Sequence, residues 1–213
     1  MNNKVIIIGD GGHAKTVIDI IEEENKYNIF GVTTAENKDG EFCGYKIIGT
    51  DDVLEKYFEK GIKNVALGLG GFTNNNLRTE VYKKVEAMGF NIINVIHPSA
   101  IISKTVTMGN GVVIFPNVTL NSEVVIGNNI IIATNSSVDH ESIIESNVLI
   151  SAGVTIGAYS KICSGCLCAI GSTVVSGVVI YENTLVAAGA VVVNNIEPDQ
   201  KVFGIPARSK KIN

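Results

Sequence analysis

The stretch Val148-Leu149-Ile150-Ser151-Ala152-Gly153-Val154-Thr155-Ile156-Gly157-Ala158-Tyr159-Ser160-Lys161-Ile162 decides the fold of the C-terminal half. Ile150, Ile156 and Ile162 stand six residues apart. Stepping by six in both directions meets Ile102, Met108, Ile114, Leu120, Ile126, Ile132, Val138, Ile144, Cys168, Val174, Ile180, Val186 and Val192, so that all sixteen positions are apolar. Four places later in each hexad the residue is small or β-branched, as at Val118, Ser136, Ser142, Val154, Ser160, Cys166, Ser172 and Ala190. A period-two strand pattern with irregular turns would not hold a six-residue phase from Ile102 to Glu197. A triangular coil does, because each flat side takes one hexad and its two inward residues must stack on those of the coils above and below. The expected fold is a left-handed parallel β-helix held by neighbour-to-neighbour stacking. Gly109, Gly127 and Gly157, each just after a first inward position, are read as relaxing the backbone at corners, with Gly171 outside that phase.

Upstream the period changes. Lys4 to Ile8 is a β-branched run, Gly9-Asp10-Gly11-Gly12-His13 interrupts it, and Val17, Ile18, Ile20 and Ile21 form one stripe of a helix over Ala14 to Glu24. Further strands are expected at Asn28 to Thr33, Tyr45 to Ile48, Lys63 to Leu69 and Phe90 to Ile96, with helices at Asp51 to Glu59 and Asn74 to Met88. This alternation implies a small Rossmann-like α/β domain with a parallel sheet, over residues 1–97. Pro98 biases His97 toward extended backbone and marks the boundary with the β-helix domain of residues 98–213.

A net charge of -4 with no basic stripe argues against a nucleic-acid partner, and the cluster Arg208, Lys210 and Lys211 reads as a solvated tail. No apolar run reaches membrane-spanning length and the opening residues lack a signal peptide's cleavage region, so a cytoplasmic location is expected. Cys163, Cys166 and Cys168 crowd into six residues and form no disulfide framework with Cys43. Cys166 and Cys168 fall on the two inward registers, so they are read as small core fillers and no metal is expected.

The string Val5-Ile6-Ile7-Ile8-Gly9-Asp10-Gly11-Gly12-His13-Ala14-Lys15, the junction His97-Pro98-Ser99-Ala100, the hexads, and Gly204-Ile205-Pro206-Ala207-Arg208 together resemble a family. It is the sugar acyltransferases of the sialic acid O-acetyltransferase and UDP-bacillosamine or perosamine N-acetyltransferase group. The resemblance implies a homotrimer with donor sites between neighbouring β-helices, acetyl-CoA as cosubstrate, and a nucleotide sugar held partly by the N-terminal domain. N-acetylation of a nucleotide-linked 4-amino sugar is the implied reaction, with O-acetylation of a sialic acid or other sugar as the alternative. The hexads alone are also compatible with a non-catalytic trimeric scaffold.

With Val138 and Ser142 assigned inward, Asp139, His140 and Glu141 must decorate the outside or a corner. Spacing alone allows a solvated polar turn or a general base, since imidazole accepts a proton near neutral pH and a carboxylate can fix its tautomer. The resemblance implies that His140 is the base and Glu141 its orienting partner, with Asp139 as the alternative orienter. A second histidine carried by some relatives nine residues later corresponds to Leu149 here. For acetyl-CoA the resemblance implies Ala158, Ile170 and Ala188, with Gly157 and Gly189 beside them. Gly9, Gly11, Gly12 and His13 join a strand to a helix where free amides suit a phosphate. By resemblance this loop takes the diphosphate or sugar, whereas the residues alone allow His13 a packing or capping role. Relatives often end the next strand in an acidic pair where this chain has Thr33-Thr34.

Overall fold

A computed structural model describes residues 3–71 and 74–211, and the chain divides into one unit of Met1–Phe72 with Asn76–Pro98 and another of Thr73–Asn75 with Ser99–Asn213.

The first unit is built on β1 (Lys4–Ile8), whose last four residues are buried. α1 (Gly12–Glu24) follows, then β2 (Asn28–Thr33), β3 (Glu41–Phe42), β4 (Tyr45–Gly49), α2 (Leu54–Glu59), β5 (Asn64–Leu67), α3 (Asn76–Ala87), β6 (Asn91–Ile92) and β7 (Val95–Ile96). The sheet order is β3-β4-β2-β1-β5-β6. β1 pairs in parallel with β2 on one side and β5 on the other. Alternation along β1 sends Ile6 and Ile8 into a cluster with Leu54, Val81, Val85 and Phe90. On α1 the predicted stripe is buried at Ala14, Val17, Ile18, Ile20 and Ile21.

Four details differ from the sequence reading. α1 starts at Gly12, so Gly12 and His13 belong to its first turn. The helix expected at Asp51 opens as a 3-10 turn, Asp51–Val53, before α2. The strand expected from Phe90 to Ile96 is two short strands, β6 and β7. β3, which pairs antiparallel with β4, was not anticipated, because two residues carry no readable period.

In the second unit all sixteen first inward residues are the second residue of a two-residue strand, from Ile101–Ile102 to Val191–Val192. Each pairs in parallel with the residue eighteen places on. One face stacks Ile102, Leu120, Val138, Ile156, Val174 and Val192. The others stack Met108, Ile126, Ile144, Ile162 and Ile180, and Ile114, Ile132, Ile150, Cys168 and Val186. The period slips at the end: Val186 pairs with Val202 and Ile180 bridges Ile196, each only sixteen residues on.

The second inward column tolerates polar residues because most of them find a carbonyl, Ser172 being the exception. Ser136 Oγ donates to Ser151 O at 2.8 Å, Ser142 Oγ to Gly157 O at 3.0 Å, and the Cys166 thiol to Tyr181 O at 3.0 Å. A buried hydroxyl without such a bond would cost on the order of 1–3 kcal/mol.

The glycines take other places than the sequence predicts. Left-handed corners recur every six residues from Gly111 to Gly189, with φ between 56° and 76°, and they are filled by glycine at 111, 153, 165, 171, 177 and 189. Gly171 is therefore a true corner, and Gly109, Gly127 and Gly157 are not. Those three sit where the next coil passes closely: a Cβ on Gly157 would lie 2.6 Å from Ser176 N, and one on Gly127 2.7 Å from Ser146 N. Close approach and positive φ are separate demands on a glycine, and only the second marks a corner.

Candidate functional site

His140 immediately precedes one of these corners, on the outside of the coil. Its side chain is 44% exposed, and its Nδ1 lies 3.1 Å from Glu141 Oε2. With the Nδ1 proton directed at the carboxylate, Nε2 is the proton-accepting nitrogen. Asp139 is committed elsewhere: Oδ1 accepts the backbone N–H of His140 at 2.8 Å and the side-chain amide of Asn121 at 2.8 Å. These donors, the His140 backbone amide foremost, hold its carboxyl below the usual range. Asn121, Ser122 and Glu123 join Asp139, His140 and Glu141 around an open cleft of 330 Å³.

The sequence reading missed Tyr159. Its ring meets the imidazole edge to face, with centroids 5.0 Å apart and planes at 87°. Its phenol, ahead of His140, acts on the Glu141 carboxyl to hold it below its ordinary range. Nothing in the hexad rule picks out Tyr159 until the eighteen-residue register sets it beneath Glu141.

The expected donor residues fall on two different corners of the coil. Tyr159 N donates to His140 O and Gly177 N to Ala158 O, which places Ala158 in the same column as His140, one coil on. Gly189 N donates to Ile170 O, so Ile170 and Ala188 share another column, two faces away from Ala158. Ala158 is buried, while Ile170 is 65% exposed. At Gly189 a side chain would meet no atom within 4 Å, which leaves its backbone open to a ligand. Leu149, where some relatives carry histidine, is buried.

In the first unit the Gly9-to-His13 loop lines a pocket of 530 Å³ with Thr34, Ala35, Asp51, Leu77 and the Gly68-to-Gly71 segment. The pocket opens past the carboxyl ends of β1 and β5, where the sheet order reverses, and beside the N-terminus of α1. Gly11 caps α1 with no side-chain bond, and a Cβ on Gly11 or Gly12 would meet nothing within 4 Å. These amides are accessible to an anion. His13 is not a cation here: burial, then the nearby Arg78 guanidinium, lower its pKa to about 3. Asp51 restores a carboxylate to the pocket from a different element, and Thr33 Oγ1 donates to its Oδ1 at 2.6 Å. At the rim Lys38 Nζ lies 2.5 Å from Asp10 Oδ2.

His97 Nε2 lies 2.9 Å from Glu23 Oε2. All four cysteines are free thiols, and burial pushes the Cys166 thiol up to about 12. Glu145, Cys163 and Glu182 bring ligand atoms within 4.8 Å of one another, but Glu145 is already bound to Lys161 at 2.7 Å and to Ser164. The Arg208–Lys211 strand pairs antiparallel with Gln200–Phe203, and the side chains of Lys210 and Lys211 lie outside the described residues. Among the described residues no helix is long and apolar enough to cross a membrane.

Residues 4–85 match the family described as the PglD N-terminal domain. UDP-N-acetylbacillosamine N-acetyltransferase of Bacillus subtilis (strain 168) is 29% identical over 115 residues, 52% of this chain and 50% of that protein, so the match spans about half of that relative. A histidine-to-alanine variant of GDP-perosamine N-acetyl transferase from Caulobacter crescentus, solved with CoA and GDP-perosamine, is 30% identical with a TM-score of 0.91. It is matched over 97% of this chain and 96% of its own. The acetyltransferase domain of PglB from Neisseria gonorrhoeae FA1090, solved with acetyl coenzyme A, is 28% identical with a TM-score of 0.74, over 99% and 100% of the two chains. Its α/β unit, its hexad coil and an identity of 30% to a relative matched over nearly its full length show that the chain belongs to the hexapeptide-repeat, left-handed β-helix acetyltransferases related to the perosamine and bacillosamine N-acetyltransferases.

Proposed function

We propose that this protein transfers the acetyl group of acetyl-CoA directly to the amine of a nucleotide-linked 4-amino sugar, with His140 as general base. The observation that carries the reading is the half-exposed imidazole whose Nδ1 faces Glu141, which directs Nε2 to the incoming nucleophile. The neutral amine attacks the thioester carbonyl carbon, and as the N–C bond forms Nε2 takes the amine proton. Glu141 stabilises the resulting imidazolium. The tetrahedral oxyanion collapses, the C–S bond breaks, and the imidazolium returns its proton to the departing CoA sulfur.

In the same proposal the nucleotide diphosphate lies against the amides of Gly9, Gly11 and Gly12, with neutral His13 as a hydrogen-bonding rather than an ionic partner. The donor lies along Gly157, Ala158, Ile170, Ala188 and Gly189. Because these residues occupy two corners of one coil, a complete donor site calls for corners from two chains, and a homotrimer supplies them. Val125 and Ile143, adjacent outward residues of one face at 43% and 40% exposure, are suited to such packing. The donor and a nucleotide sugar are cytoplasmic metabolites, so the reaction is placed in that compartment.

The test is product mass spectrometry with acetyl-CoA and UDP-, GDP-, dTDP- and CMP-linked sugars plus free sialic acid. An acetamide on a nucleotide-linked amino sugar is expected. An ester on a hydroxyl sugar, with no amide from any amino sugar, would overturn the acceptor assignment. Light scattering should give three times the chain mass, and a monomer would overturn the shared donor site.

A further inference from the structure

The fourteen left-handed corners of the coil do not share one chemistry. Glycine or asparagine, the residues that enter this region at least cost, fill eleven of them. The other three are Glu123, Glu141 and Tyr159, at φ 61°, 57° and 58°. They are spaced by eighteen residues and so form one column, and it is the column beside His140. A bulky aromatic residue at positive φ is an outlier, and such strain persists where the surrounding structure over-determines it. Tyr159 gains little by burial in exchange, since it is 59% exposed.

What the corner gives Tyr159 is position. Its backbone N–H donates to His140 O at 3.0 Å, which fixes the spacing between the two residues through the coil itself. From there its ring meets the imidazole edge to face at 5.0 Å while its phenol reaches Glu141. We infer that Tyr159 is a positioning residue for acetyl transfer, holding the Glu141 carboxylate and the His140 ring together in the geometry that leaves Nε2 to accept the proton. A carboxylate on an exposed corner would otherwise exchange its imidazole contact for water, and a second donor on the same carboxylate restricts that exchange.

This inference rests on His140 being the base, and the experiment separates the two. Y159F removes only the hydroxyl, and Y159N substitutes a residue that five other corners already carry. With the acceptor that supports wild-type turnover, Y159F should lower kcat about tenfold while KM for acetyl-CoA stays within about twofold. In an E141Q background Y159F should cost nothing further, because the two act as one unit. Y159N should also lower kcat yet leave Tm unchanged or raised, as relief of corner strain requires, whereas a merely structural tyrosine would lose both together. In the ligand-free protein the 15N spectrum of His140 should show one tautomer, with the proton on Nδ1, and Y159F should average it with the other. Wild-type kcat or an unaltered imidazole spectrum in Y159F, with H140A inactive, would overturn the role of Tyr159 alone. Retained turnover in H140A would overturn both assignments.

Discussion

The carboxylate of Asp139 accepts the backbone N–H of His140 at 2.8 Å and leaves the ring of that histidine to Glu141. Two adjacent acids that look interchangeable in sequence therefore have different tasks, one holding the turn and the other the imidazole. E141Q should lower kcat by about tenfold or more, as expected when tautomer control is lost, and D139N by less than about fivefold. Steady-state kinetics of the two variants check this, and the reverse order would assign the orienting role to Asp139.

H140A should lose at least about 100-fold in turnover, the range for removal of a general base. Because the side chain lies outside the coil, Tm, association state and acetyl-CoA affinity should stay at wild-type values. Calorimetric titration with CoA alongside the kinetic assay distinguishes this from a folding defect.

The two kinds of glycine predict opposite responses to a side chain. G157A drives a Cβ to 2.6 Å from the Ser176 amide and should cost about 1–3 kcal/mol, the usual range for overpacking. G153N places asparagine at φ 67° with no atom within 4 Å, as asparagine already stands at the neighbouring corner 147, and should change stability by less than about 1 kcal/mol. Thermal melts compare them directly.

His13 makes the stability of the first unit depend on pH in a definite direction. Its folded pKa is lowered to about 3 from 6.5, so between those values the unfolded chain binds the proton and the folded one does not. Stability is thus full above pH 6.5 and falls as the solution is acidified toward pH 3. Discounted for partial exposure, the loss between pH 6.5 and pH 4.5 should be about 1–2 kcal/mol. Denaturant melts of the wild type and H13Q at the two pH values should show it as a difference in slope against pH.

The coil was legible because its rule is local: six residues fix a face, and a violation at any of sixteen positions would have been visible. The location of His140 outside the core followed from the same rule. The corner chemistry was not legible, because the rule says which residues point inward and nothing about φ, so Gly157 and Gly171 were exchanged in role. Tyr159 and Asp51 were missed for a related reason. Each joins its site across eighteen residues, from Glu141 to Tyr159 and from Thr33 to Asp51, and neither separation has meaning until the register of the coil or the turn after β4 is known.

The pairing of each strand with the one eighteen residues on has a bearing on how such a chain can change in length. A loss of six residues between His140 and Ala158 would leave every inward side chain in phase and the core sound. It would also swing all that follows through one third of a revolution, so that Ala158 no longer stood under His140. Only gains or losses of a whole revolution, or loops budded outward at a corner, keep the two in line, so drift in length among descendants of this chain should come in those increments.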